Sequence, residues 1–418
     1  MGKVAALVTN PDWVSHHGFY PFIHYKKDCS KYSRKGMKEK KRDICYASHI
    51  DRCILQYYSH NLNELYNSKL KEYQIEDVPV AYRTNLKLNN IHLAKIAFDF
   101  IRENPDSFVI IGDFTGFFDN LDHDYLKKQW CQLIGMTQLP PDQYNIYKNI
   151  TKYSTWELDD LLDLNNLPKT HAGRKKLDAQ KTVLTKEQYK NNKSKIHKNT
   201  NSFGIPQGSP ISALLANMYM LDADRKINAV VSSLSGMYMR YSDDFIIVLP
   251  VSESDARASI NSILQIIHNI PRLELEPRKT QIYKTKLPEV YNVGNEFLKD
   301  ADESKHVISF LGFTFDGENI SLRSKTVSKY YNRMYRKARE VTRDPEHRGK
   351  KKLYQKYSEK CAEEALYDGQ SQNKIPGKKS GNFFTYVHRA EIILNDSEIR
   401  RPVKNHMAKI RKALNKKK

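Results

Sequence analysis

The chain has 418 residues and a formal net charge of +21, from 69 Lys and Arg against 48 Asp and Glu. That length can bury a large core divided among two or three lobes. The charge excess goes beyond what solubility needs and points to a polyanionic partner, nucleic acid before membrane. Cys29, Cys45, Cys53, Cys131 and Cys361 are odd in number and lack C-x-x-C spacing, which argues against a disulfide framework or a structural zinc site and fits a reducing cytosol. The start, MGKVAALVTNPDW, has too short an apolar run for a signal peptide and no Ser or Thr at the sixth position for myristoylation. No stretch approaches the roughly 18 to 20 apolar residues of a membrane span, so a cytoplasmic protein without membrane contact is expected.

In chain order, HIDRCILQYYSHNLNELY places Ile50, Ile54, Leu55, Tyr58 and Leu62 at spacings of three and four, one face of a helix. A second helix is expected at NNIHLAKIAFDFIRE. SFVIIGDF is short, β-rich and ends in Gly and Asp, the pattern of a buried strand. Residues 152–200 change character: polar, Lys-rich and nearly free of large apolar side chains over most of their length, they predict a mobile insertion and not a domain. SPISALLANMYMLDADRKI predicts a helix opened by Ser209-Pro210. MYMRYSDDFIIVLP supplies two short strands around Asp243 and Asp244. A helix at SESDARASINSILQIIHNI follows, then a strand pair in VISFLGFTFDGENISL. Beyond residue 324 the pattern is helical and densely basic to the end, HMAKIRKALNKKK.

Asp243 and Asp244 repel each other, and adjacent carboxylates are costly without a cation beside them. Asp113 ends the buried strand just as the Asp pair sits at a turn between strands, so pairing these strands would bring three carboxylates together. Such a cluster is a divalent metal site, for Mg²⁺ before other ions, and two ions about 3.5–4 Å apart can clamp an in-line phosphoryl displacement. Taken alone, an Asp-Asp dipeptide is equally an ordinary turn.

It is not alone. GDFTGFFDNLDH, FGIPQGSPISALLANMYM, RYSDDFIIV, LELEPRKTQIY and FLGFTFD follow one another as the palm motifs of reverse transcriptases do, and the series resembles most closely the bacterial group II intron and defence-associated branches. The resemblance implies an α+β right-hand polymerase fold, with fingers, a palm whose antiparallel sheet carries the catalytic aspartates, and a short helical thumb. It implies Asp113, Asp243 and Asp244 as ligands of two Mg²⁺ ions, for which Mn²⁺ can substitute, with the Phe114 carbonyl as a further ligand. Phe118, five residues past Asp113, takes the position whose ring packs under the sugar of the incoming nucleotide and excludes a 2′-hydroxyl by shape; Phe117 reads as core. Gln207 matches the residue that touches the nucleotide, Gly208 lets the backbone come close, and Lys279 is a candidate general acid for pyrophosphate. In the fingers, KEKKRDICYASHIDR nominates Lys41 and Arg42 as grips on the triphosphate, and VAYRTNLKLNN nominates Arg83 to face template or nucleotide, although a Lys-rich run is also an ordinary solvated face.

Departures narrow the branch. Fewer than 100 residues follow Leu322, too few for a long maturase region, and no Val-Thr-Gly thumb segment of the retron kind occurs; Ser242 stands where Ala or Met is usual. The layout read from the sequence is fingers and N-terminal extension 1–105, first palm part 106–151, polar basic insertion 152–200, second palm part 201–303, primer-grip-like hairpin 304–323, and basic helical thumb and tail 324–418. It looks most like the defence-associated reverse transcriptases, the small type 2 among them. That resemblance implies a noncoding RNA template encoded nearby, dNTPs, a cDNA product and a role against phage. A template-independent or RNA-templated nucleotidyltransferase, or a non-catalytic RNA-binding scaffold like a maturase, stay open as alternatives. Oligomeric state is not readable.

Overall fold

The computed structural model describes residues 2–29, 31–33, 36–38, 41–344, 346, 349–358 and 382–415. Cys361, residues 39–40 of the first basic block and residues 416–418 of the basic tail lie outside them.

In the fingers, β1 (Phe22–Asp28) and β4 (Lys41–Tyr46) pair antiparallel, with the short strands β2 (Lys31–Ser33) and β3 (Gly36–Lys38) between them in sequence forming a sheet of their own. The long helix His49–Glu72, capped by the Ser48 hydroxyl on the Asp51 N–H, buries Ile54, Leu55, Tyr58 and Leu62 of the foretold stripe, with Ile50 partly buried at its start.

The palm is a five-stranded antiparallel sheet in which β5 (Asp106–Asp113) lies between β9 (Asp244–Leu249) and β10 (Gln281–Lys286), with β8 (Met237–Tyr241) and β11 (Glu289–Asn292) at the edges. β5 and β9 are near-continuous apolar runs because both of their faces are covered. Phe108, Ile110, Phe245, Ile247 and Leu249 join a core with the helices Ser212–Ser233 and Glu253–His268, whereas Val109, Ile246 and Val248 join a second core with the helix Asn90–Glu103. The Ser212–Ser233 helix starts one turn later than the Ser209-Pro210 pair implied. The Ser209 carbonyl accepts from the Ser212 N–H, and the Ser212 hydroxyl donates back to the Pro206 carbonyl, so residues 206–211 form the turn that enters the helix.

Residues 152–200, expected as a mobile insertion, hold regular elements. They hold β6 (Ser154–Glu157), the helices Leu158–Leu164, His171–Asp178 and Lys186–Asn191, and β7 (His197–Lys198). β6 pairs parallel with β1 and antiparallel with β7, so the fingers sheet runs β4-β1-β6-β7. Trp156, Leu158, Leu161, Leu162 and Leu177 are enough to make a third small core against Ile23 and Tyr25. The polar composition around them hid it.

The segment read as a strand pair makes three strands, β12 (Ile308–Phe310), β13 (Phe313–Phe315) and β14 (Ile320–Leu322), leading into the helix Ser324–Arg343. Tyr330, Tyr331, Met334, Ala338 and Val341 pack inward there, and Arg333, Arg336 and Arg339 face solvent. Helices Lys350–Tyr357, Phe383–Leu394 and His406–Asn415 complete this lobe. Among the described residues, no helix is long and apolar enough to cross a membrane. The α+β architecture is the right-hand arrangement that the motif order implied.

Candidate active site

The β8–β9 hairpin turns through two residues, Ser242 and Asp243, between the paired Tyr241 and Asp244. A two-residue hairpin loop needs a positive φ at its first position, and Ser242 adopts one, 62°. Across the sheet, Asp113 lies directly opposite Asp244. Directly opposed residues in such a ladder have Cα atoms about 4.5–5.5 Å apart, so the register alone gathers the three aspartates at one sheet edge.

That crowding registers in the acidity of Asp243 and Asp244. Surrounding protein mass first, then the charges of Asp243 and Asp113, push the Asp244 carboxyl up to about 7, although the side chain still reaches solvent. Asp243 is also raised, by burial and by Asp113, with the Ser242 hydroxyl and Lys279 opposing. Lys279 supplies a cation: its Nζ donates to Asp113 Oδ1 at 2.8 Å. The chain places it there by zipping the loop before β10 onto the residues around Asp113. The Glu276 N–H donates to the Asp113 carbonyl and the Thr115 N–H to the Glu274 carbonyl, both at 2.9 Å. Neither bond uses the Phe114 carbonyl. The Phe114 ring is buried against Phe117 and Phe245, and Gly112 permits this packing, since a Cβ there would lie 2.1 Å from the Phe245 ring.

Phe117 belongs to the core, while Phe118 is half-buried against its margin. Gly208 adopts φ 113°, and a Cβ on it would lie 2.6 Å from the Cys45 carbonyl oxygen. The neighbouring Gln207 carbonyl accepts from the Cys45 N–H at 2.8 Å. These contacts dock the PQGSP loop onto β4, the strand whose exposed beginning carries Lys41 and Arg42.

Arg83, expected to face template or nucleotide, also holds its own loop together. It is buried, its Nε donates to Asn67 Oδ1 at 2.9 Å, and one terminal nitrogen donates to the Glu76 and Pro79 carbonyls. A guanidinium removed from water must satisfy its donors internally; Arg83 therefore clamps the 76–83 loop.

Sequence reasoning missed Arg240. Fully buried, it forms a two-pronged pair with Asp224 on the Ser212–Ser233 helix (Nε–Oδ1 2.8 Å, terminal nitrogen–Oδ2 2.6 Å). Its other terminal nitrogen donates to Asn217 Oδ1 at 3.2 Å and to the Ser242 carbonyl at 3.0 Å. The Tyr238 hydroxyl also donates to Asp224. The signal was present: a charged residue inside MYMRY, a strand otherwise apolar on its buried face, demands a buried carboxylate.

Among the described residues, no three His, Cys, Asp or Glu side chains converge closely enough to enclose a metal ion by themselves. The donor set nonetheless fits a divalent cation. Three hard carboxylates crowd one edge, those of Asp243 and Asp244 with raised pKa values, and Mg²⁺ is usually held through one or two carboxylates completed by water and substrate phosphates, not by an all-protein cage.

Residues 26–315 match the family model described as "Reverse transcriptase (RNA-dependent DNA polymerase)". No curated protein gives a significant match. Among solved structures, telomerase from Candida tropicalis truncated from its C-terminal domain is similar with a TM-score of 0.43 and 11% identity, over 72% of this chain and 57% of that one. Telomerase from Candida albicans in complex with a TWJ fragment of telomeric RNA gives 0.40 and 15%, over 80% and 52%. The chain thus spans little more than half the length of these two.

Proposed function

The chain belongs to the reverse transcriptase family, and from that premise we propose that it is an RNA-directed DNA polymerase that copies an associated noncoding RNA into cDNA from dNTPs, in defence against phage. The observation that carries the polymerase reading is the β5–β9 register that sets Asp113 opposite Asp244, with Asp243 in the adjoining turn and Lys279 on Asp113. The defence role rests on the resemblance of the motifs to that branch.

Asp113, Asp243 and Asp244 would hold two Mg²⁺ ions, which when bound supply Lewis acidity at the attacking 3′-hydroxyl and at the leaving pyrophosphate. The other roles fall to the chain's own groups. Lys279 Nζ is positioned beside Asp113 to hand a proton to a pyrophosphate oxygen. The exposed edge of Phe118 forms a wall against a 2′-hydroxyl on the incoming sugar. Gly208 keeps the floor beneath the nucleotide free of a side chain, and Lys41 and Arg42 extend from β4 toward solvent, where a triphosphate can be met.

The test is primer extension on a defined RNA template, with the product sequenced. Asp243→Asn with Asp244→Asn should lower dNTP incorporation by at least about three to four decades, roughly 4–5 kcal/mol of transition-state stabilisation, while RNA binding persists. Activity within tenfold of wild type, incorporation that survives excess EDTA, or a product unrelated to the template would overturn the reading. Sequencing the nucleic acid that copurifies with the protein, before and after RNase, tests the noncoding RNA.

A further inference from the structure

A cavity of about 550 Å³ opens beside the catalytic hairpin. Its wall combines Tyr241 of β8 with Tyr82, Arg83, Lys87 and Asn89 from the segment before the Asn90–Glu103 helix, and with Arg389 from the Phe383–Leu394 helix. Two aromatic rings beside cationic side chains are a lining whose chemistry suits a nucleotide within a strand.

Tyr82 is the unusual member. Half of its surface is exposed (50%), its backbone sits in the left-handed region (φ 64°), and its hydroxyl donates to Ser242 Oγ at 3.1 Å. Ser242 is itself left-handed and directly precedes Asp243. A bulky residue in that conformation is uncommon and persists where its surroundings fix it. With its one proton given to Ser242, the phenol oxygen keeps its lone pairs and can only accept. It offers an acceptor on a residue of the cavity wall, bonded to the Ser242 hydroxyl that directly precedes the carboxylates the 3′-hydroxyl of the growing strand must reach. The group next to a 3′-hydroxyl that can donate there is the ribose 2′-hydroxyl, the group by which a protein tells RNA from DNA.

We propose that this cavity seats the terminal nucleotide of the priming strand and that Tyr82 accepts a hydrogen bond from its 2′-hydroxyl, so that synthesis starts preferentially on an RNA end. The inference rests on the polymerase reading above. It separates two sugar decisions: Phe118 excludes a 2′-hydroxyl on the incoming nucleotide, and Tyr82 selects one on the strand it joins.

The experiment uses the full chain, one RNA template and two primers identical except for a ribose or deoxyribose at the last position. Single-nucleotide addition is timed for wild type and Tyr82→Phe. Wild type should favour the ribose end by about threefold to tenfold in kcat/KM, the scale of one hydrogen bond. Tyr82→Phe should lose that preference through the KM of the primer. Later additions, all made onto deoxyribose ends, give the baseline in each protein against which that loss is read. Wild type that extends both ends equally well overturns the proposal. So does a variant that slows both ends and every later step by the same factor, because Tyr82 would then only support the hairpin. Wild type that extends neither end removes the polymerase reading, and this inference with it.

Discussion

Asp113 has Lys279 Nζ at 2.8 Å and Asp244 opposite it on the ladder, so one carboxylate meets both a cation and an anion. Lys279→Ala should lower the chemical step by about 10²- to 10⁴-fold if the amine protonates pyrophosphate, while dNTP affinity changes far less; pre-steady-state single-nucleotide kinetics separates the two. Phe117 and Phe118 differ only in exposure, and that difference sets their consequences. Phe118→Val should shift discrimination toward rNTP by roughly 1–3 kcal/mol, the scale of pocket-shape selectivity, read as the ratio of rNTP to dNTP incorporation. Its neighbour in the core should instead lose stability when trimmed. Gly208→Ala combines an unfavourable φ with a Cβ 2.6 Å from a backbone oxygen. It should cost about 1–3 kcal/mol of stability in urea unfolding and raise the KM for dNTP, because relief requires the loop to leave the Cys45 N–H.

Between residues and the whole chain stands the β8–β9 hairpin with the helix behind it. Arg240 joins that helix, through Asp224 and Asn217, to the carbonyl of the turn residue Ser242. Arg240→Met alone strands a buried carboxylate and should cost about 3–5 kcal/mol in urea unfolding. Arg240→Met with Asp224→Leu should regain most of that stability, yet primer extension should remain depressed because the Ser242 carbonyl has lost the donor that fixes the turn. Equal recovery of stability and activity would show that the pair only fills space. How much of this was legible follows from locality. β5 and β9 announced themselves because a strand covered on both faces is apolar throughout, and the aspartates, Phe118 and Gly208 sit within short contiguous motifs. Arg83 looked like a free cation because nothing in its own segment shows the Asn67 amide and the two carbonyls that absorb it. The insertion looked unstructured because Trp156 and its leucines complete their core with Ile23 and Tyr25, far away in sequence. The helix entry at Ser212 was misplaced because Pro206 and Ser209 carry out the turn.

Over the whole molecule, the +21 charge becomes a surface distribution. On the Ser324–Arg343 helix, Arg333, Arg336 and Arg339 are exposed while Tyr330, Tyr331 and Met334 pack inward, and Lys409 lies 3.9 Å over the Tyr331 ring, so this face is braced from behind. Neutralising the three arginines should reduce the magnitude of the log–log salt slope of RNA binding by roughly two to three, if each pairs with one phosphate, with circular dichroism confirming that the helix survives; parallel slopes with equal affinity would return the helix to a solvated face. The fingers sheet carries a different consequence, one of timing. β1 pairs parallel with β6, and His24 and Glu157, side by side in that sheet, are 133 residues apart in the chain. Between them runs the entire first half of the palm, including Asp113. Such a pairing has a high contact order, and its loop-closure entropy must be met before the strands reward it. During synthesis the inner edge of β1 therefore waits for β6 with its hydrogen-bonding groups unmatched, and the fingers can finish only after the strand bearing Asp113 has emerged. The fingers sheet, begun before the strand bearing Asp113 is made, is thus among the later parts to close, and until then its open β1 edge is where a chaperone, or another unfinished chain, would find the nascent molecule.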